Sequence, residues 1–162
     1  MDVTFRNYKS KDKPTLLKLS KKLGAVGKIL DPMSRIQNAP GFAEMDVDET
    51  LKNVKTNHGK IYLAEDAGEV IGFVIGVIWK QSKKNELEIG KHVLGEVTDL
   101  FIEEAYRGKG IGTTMLTMME GYFKEKGCDS MWVSMFAPNT NAHAVYQKFG
   151  FVDRSIGMLK NI

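Results

Sequence analysis

An alternating glycine run, Arg107-Gly108-Lys109-Gly110-Ile111-Gly112, separates two segments of different hydrophobic character. Before it, His92 to Ile102 reads as a strand, with apolar residues concentrated in Val97-Thr-Asp-Leu-Phe-Ile102. After it, Ile111, Met115, Leu116, Met119, Tyr122 and Phe123 recur at helical spacing, which predicts a helix from about Gly110 to Lys126. The chain therefore passes from strand to helix through a turn that glycine can shape more freely than other residues. The first N–H groups of a helix have no partner inside it, and the helix dipole makes that end partly positive. A glycine turn there lets main chain approach an anion closely, so the segment is suited to holding a phosphate.

The rest of the pattern surrounds this unit. Val3 to Tyr8 alternates and predicts an edge strand; Lys13 to Leu30 carries Leu16, Leu17, Leu19, Leu23 and Val26 on one helical face, with Pro14 near its start. Asp31 to Asp46 reads as a loop, and Asp48 to Thr56 as a short helix capped by Asp48. Lys60 to Glu65 and Glu69 to Lys80 are strands joined by the hairpin signal Asp66-Ala67-Gly68. Gly72 and Gly76 in the second of these indicate close packing or a bulge. Gln81 to Gly90 is polar and reads as loop. Ser130 to Phe136 predicts a strand, Thr140 to Phe149 a helix stopped by Gly150, and Phe151 to Leu159 a last strand. This order gives an α/β (α+β) domain with a mixed sheet, in which residues 92–136 form a strand–helix–strand crossover between parallel strands.

A length of 162 residues is one domain's worth, so residues 1–162 are expected to form a single domain with its own core. The charged N-terminal stretch has no apolar core of a signal peptide, and the longest apolar run, Val70 to Trp79, is too short to span a membrane. The lone cysteine, Cys128, fits a reducing compartment, so a cytoplasmic location is expected. The net charge of +3 is spread over scattered lysines, which a solvated surface explains better than a nucleic-acid face. A basic cleft for an anionic cofactor also fits. His58 and His92 have no sequence partners that suggest a metal site, and Cys128 lies outside any nucleophile pattern.

Neither nucleotide fingerprint fits the glycine run. A dinucleotide-binding G-x-G-x-x-G beginning at Gly108 requires glycine where Thr113 stands, and the Gly-Lys-Ser/Thr of a Walker A loop is missing. Arg-x-x-Gly-x-Gly at positions 107, 110 and 112 instead resembles the pyrophosphate loop of the GNAT (GCN5-related) family of N-acetyltransferases. A second block, Asn139-x-x-Ala142-x-x-x-Tyr146-x-x-x-Gly150-Phe151, lies one strand downstream and resembles that family's second conserved motif. Two motifs in the right order are more specific than either alone. The likeness is close over the C-terminal two thirds, while the N-terminal third matches only in element order.

The resemblance implies a GNAT-type fold with about six to seven strands flanked by helices, acetyl-CoA as cofactor, and direct acetyl transfer to a primary amine of a small molecule or protein. It implies that the backbone of Arg107, Gly108, Lys109, Gly110, Ile111, Gly112 and Thr113 holds the pyrophosphate, with Asn139 nearby. Main chain at Leu100, Phe101 and Ile102 would pair with the pantetheine arm, and a bulge in this strand is a family feature. Tyr146 would protonate the leaving thiolate. Glu96 is the first candidate for the base that deprotonates the acceptor, and Asp99 is the runner-up. In a regular strand Glu96, Thr98 and Leu100 share one face and Val97, Asp99 and Phe101 the other, which leaves the choice open. Small Ala142 leaves room beside Tyr146, and His143 fits a surface position better than a catalytic one.

The alternatives are a non-catalytic GNAT-fold module that binds coenzyme A, and a CoA-independent interaction domain. The acceptor and the oligomeric state stay open, homodimers being frequent in families of this kind. Gly27 to Asp48 is expected to form part of the acceptor wall, where Asp31, Glu44, Asp46 and Asp48 would suit a cationic amine.

Overall fold

A computed structural model describes residues 2–162. Five strands form one sheet in the order β1 (Val3–Asn7), β2 (Lys60–Asp66), β3 (Glu69–Trp79), β4 (Leu94–Ile102) and β5 (Ser130–Val133). The first four pair antiparallel in succession, and β5 pairs parallel to β4. Helices α1 (Lys13–Leu30) and α2 (Phe42–Thr56) pack on one face, α4 (Ile111–Glu125) and α5 (Thr140–Phe149) on the other, and α3 (Lys83–Ile89) lies between β3 and β4 in the chain. No helix of the described residues is long and apolar enough to cross a membrane.

Each face carries its own core. Leu16 and Leu19 of α1 and Val47 of α2 meet Ile61, Leu63, Phe73, Ile75 and Phe101 of the sheet. On the opposite face Ile111, Met115, Leu116, Met119 and Phe123 of α4 meet Ala64, Ile71, Val74 and Val97. Burial of side chains of this size stabilises the fold by about 1.5–3 kcal/mol each. The sheet glycines make room for the second core. A Cβ on Gly76 would lie 2.5 Å from the Met119 sulfur, and one on Gly95 2.5 Å from the Phe123 ring. Glycine at these two points lets α4 settle onto β3 and β4.

β4 is not regular. Ile75 pairs with Asp99 and Gly76 with Val97, so Thr98 is an extra residue without a partner on β3. This bulge is why Val97 buries against α4 and Phe101 against α1 and α2. At the sheet's other side, Ala67 and Gly68 both take positive φ, 50° and 84°, and form the two-residue β2–β3 hairpin turn.

Four sequence expectations differ from the structure. Gln81 to Gly90 is not loop throughout: Ser82 Oγ accepts from Asn85 N at 3.2 Å and starts α3, which Gly90 ends. None of its residues is buried, so no apolar stripe betrayed it. The second helix begins at Phe42, after Gly41 at φ 87°, rather than at Asp48; Phe42 and Met45 of its first turns stay exposed, so no buried stripe marks them in the sequence. Asp48 does not cap it but pairs with Lys13 at 2.5 Å. Phe151 to Leu159 forms no strand, and the sheet has five strands rather than six or seven. The residues after Phe151 alternate as a strand does but bond to no strand among the described residues.

Candidate active site

β4 and β5 stay paired only from Leu94 with Ser130 to Val97 with Val133. β5 then ends, while β4 runs on to Ile102. The sheet opens at this point. A cavity of about 750 Å³ enters the opening, lined by Thr98, Asp99 and Leu100 of β4, by Val133 to Phe136, and by Asn139 and Tyr146. Its far wall is Leu23 to Leu30 of α1 and the segment from Ile36 to Phe42. A second cavity of about 710 Å³ shares Leu23, Gly24, Gln37 to Ala39, Phe42 and Asp99 with the first and extends to Lys21, Glu44 and Asp46. The two are adjoining halves of one cleft, and Asp99 borders both.

The glycine turn stands at the end of β4. Gly108 and Gly110 take φ values of 72° and 81°, which an L side chain resists, and Gly110 is the cap of α4. None of the backbone N–H groups from Gly108 to Thr113 has an acceptor among the described residues; the first that does is Thr114, bonded to Gly110 O at 3.0 Å. Unpaired amides at the positive end of a helix form an anion cradle. The side chains of the turn point elsewhere. Arg107 Nε donates to Ile102 O at 2.9 Å and its guanidinium lies 5.9 Å from the Phe101 ring. Lys109 Nζ donates to Ala105 O. Ile111 is buried beneath α4, Gly112 faces Leu100, and Thr113 is exposed.

Tyr146 is buried on the α5 side, with its ring edge-on to Phe151 at 5.7 Å, and it lines the cleft. Burial first, and then the charge of Asp99, push its phenol above the usual value of 10.0. Asn139 Oδ1 accepts from Ala142 N at 3.3 Å, so this residue caps α5 as well as lining the cleft. His143 is drawn away to Asp153, at 2.7 Å.

The bulge at Thr98 bears on the two carboxylates. Counted from Val97 on one side and Phe101 on the other, Glu96 and Asp99 fall on the same face of β4. Glu96 does not border the cleft; its Oε2 accepts from Trp79 Nε1. Asp99 is partly buried in the cleft. Burial holds its carboxyl above the ordinary 3.8, opposed by a hydrogen bond from Thr98 and reinforced by Asp46 and Glu96. Of the acidic residues expected in the acceptor wall, Asp31 accepts the N–H groups of Met33, Arg35 and Ile36, Glu44 pairs with Lys21, and Asp48 pairs with Lys13. Asp46 alone of these has neither an ion pair nor a side-chain hydrogen bond among the described residues.

The sequence pattern of the Acetyltransferase (GNAT) family matches residues 29–151. The chain belongs to the GNAT family of acetyltransferases. An uncharacterised N-acetyltransferase of Methanocaldococcus jannaschii is 23% identical, over 93% of this chain and 81% of its own. A spermine/spermidine N(1)-acetyltransferase of Bacillus subtilis is 40% identical over 32% of this chain and 34% of its own. Among solved structures, a predicted acetyltransferase of Clostridium acetobutylicum with acetyl-CoA has a TM-score of 0.76 at 19% identity, over 99% of this chain and 96% of that one. AAC(6′)-Iy in complex with a CoA-linked bisubstrate analogue has a TM-score of 0.71 at 19% identity over the whole of both chains. The protein is an acetyl-CoA-dependent N-acetyltransferase of GNAT fold. The helix α3, the exposed first turns of α2 and the division of the cleft are features that no motif in the sequence signals.

Proposed function

We propose that this GNAT protein moves the acetyl group of acetyl-CoA directly to a primary amine, with Asp99 as base and Tyr146 as acid. The observation that carries the reading is the cleft at the β4–β5 opening, which Asp99 and Tyr146 both line. The amides from Gly108 to Thr113 would hold the cofactor's pyrophosphate, and the unpaired edge of β4 beyond Val97 would pair with its pantetheine arm. An acceptor amine with pKa near 10 is almost wholly protonated at pH 7 and must first lose a proton. Asp99, with its raised carboxyl, is a better base than an ordinary aspartate. The free amine attacks the thioester carbonyl. A β4 backbone N–H stabilises the oxyanion, and the tetrahedral intermediate expels the thiolate. The Tyr146 hydroxyl donates its proton to that thiolate, the proton that the nitrogen loses as the amide forms restores the phenol, and no acyl-enzyme forms.

Glu96 gives way to Asp99 in this reading because Trp79 holds it outside the cleft. The second cavity would receive the acceptor, with Asp46 beside Asp99 favouring a cationic amine. The names of the Bacillus subtilis relative and of the neamine-analogue complex point to acceptors of that kind. Thiol release from acetyl-CoA across a panel of polyamines, aminoglycosides and peptides tests the reading. Turnover with at least one amine is expected, and cofactor binding without turnover on any of them would leave a non-catalytic CoA-binding module.

A further inference from the structure

Gly27 lies inside α1 and borders the first cavity. Glycine stabilises a helix less than alanine does, so a helical glycine calls for a reason. The backbone supplies none, since the residue is helical. Packing supplies none either. A Cβ on Gly27 would lie 3.7 Å from Ile36 Cδ1 and 3.9 Å from Phe136 Cε2, both ordinary contacts. Gly24 differs. Asn38 Nδ2 donates to Gly24 O at 2.8 Å, and a Cβ there would come within 3.3 Å of that nitrogen. Close approach explains Gly24, while for Gly27 only the room it leaves remains.

That room is apolar. Val26 and Leu30 share a face of α1 with Gly27, and with Ile36 and Phe136 they line the cavity as half-buried or exposed side chains. None of them carries a polar side-chain atom. The slot is continuous with the part of the cavity that Asp99 and Tyr146 line. The carboxylates of the second cavity, Glu44 and Asp46, suit the acceptor, and the β4 edge suits the pantetheine arm. Of the groups that meet at the thioester, the acyl chain alone is wholly apolar, and burying it here removes its surface from water.

We propose that this slot holds acyl chains longer than acetyl, so that the protein also transfers butyryl and hexanoyl groups, with Gly27 setting the length admitted. The proposal rests on the acyl-transfer reading of the cleft. The bonds change as they do for acetyl. The amine nitrogen bonds to the acyl carbonyl carbon and the carbon–sulfur bond breaks. The ammonium gives up two protons, one to solvent through Asp99 and one that ends on the coenzyme A thiol.

Calorimetric titration with acetyl-, butyryl- and hexanoyl-CoA tests the slot without an acceptor. Butyryl-CoA, with two more methylenes to bury, should bind about tenfold tighter than acetyl-CoA, and hexanoyl-CoA at least as tightly as butyryl-CoA. In Gly27→Leu the butyryl-to-acetyl ratio should fall to about one, with circular dichroism unchanged. Gly27→Ala should lower the ratio less and raise the melting temperature by a few degrees. On whichever panel amine accepts acetyl, butyryl-CoA should yield the corresponding butyramide by mass spectrometry. Equal affinity for acetyl- and butyryl-CoA would overturn the proposal. So would a ratio indifferent to Gly27→Leu, or butyryl-CoA that binds and yields no amide. A protein that bound none of the thioesters would overturn the acyl-transfer reading itself, whereas a flat series removes the slot alone.

Discussion

Val97 and Phe101 lie on the same strand at positions of equal parity, yet they bury on opposite faces of the sheet. The unpaired Thr98 between them reverses the alternation and turns Asp99 toward α1 and α2, where it lines the second cavity. Deleting Thr98 should remove the bulge while Val97 stays opposite Gly76 and Asp99 opposite Ile75, so Asp99 and Phe101 keep their faces. Phe101 would keep its place against Phe73. The deletion variant and Thr98→Ala should both melt close to the parent, and a loss of about 3 kcal/mol or more, the scale of removing a buried phenylalanine, would show that the strand had slipped register instead.

Asp99→Asn should lower kcat by about 10²-fold or more. In the unaltered protein the acid limb of kcat should fall above the ordinary carboxylate value of 3.8, since burial raises the group. Stability has its own signature. The native state keeps this proton to higher pH than the unfolded chain, so folding weakens as pH rises from 3.8 to the raised value and then levels. Asp99→Asn should remove that loss and melt higher at neutral pH while turning over more slowly. Denaturant titrations at several pH values check the sign.

Tyr146→Phe keeps the ring against Phe151 and removes only the hydroxyl. It should lower kcat about 10²-fold and leave coenzyme A affinity within about twofold. A parallel loss of affinity and turnover would assign the tyrosine to binding instead. Steady-state kinetics with calorimetric titration separates the two.

Gly110→Ala forces a side chain into φ 81° and should cost about 1–2 kcal/mol of stability. It should also turn the amides of the cradle and weaken coenzyme A binding about tenfold. Gly112→Ala is the control. Its φ is helical and its new Cβ would meet Leu100 at an ordinary 3.9 Å, so binding should change little.

Asp12 is buried and accepts both Arg6 Nη1 at 2.7 Å and Nη2 at 3.0 Å, together with Lys9 N at 2.7 Å. Arg6 holds its carboxyl below 3.8. The pair therefore stabilises the fold above that pH, and its contribution is lost as pH falls through the lowered value. Asp12→Ala should cost about 2–3 kcal/mol at neutral pH, read from urea midpoints, with a smaller difference in acid.

The sequence made the second half of the fold legible because its signals were local. Glycines at 108, 110 and 112, an apolar stripe from Ile111 to Phe123, and Asn139 before α5 each act within a few residues. The N-terminal cleft wall was less legible, since the early turns of α2 present Phe42 and Met45 outward. Glu96 and Asp99 could not be ranked by alternation, because a one-residue bulge depends on pairing with β3 and leaves no mark in the pattern of β4 alone. The tail read as a strand because alternation reports a face and not a neighbour.

The opening between β4 and β5 leaves the sheet unfinished along the edge that borders the cleft. A cofactor arm that bonds there supplies the missing rung and binds only the folded chain. At a hundred times its dissociation constant such a ligand adds about 2.7 kcal/mol to stability. The protein's lifetime in a cell would then follow the supply of acetyl-CoA, with the charged metabolite sparing the enzyme that consumes it from proteolysis.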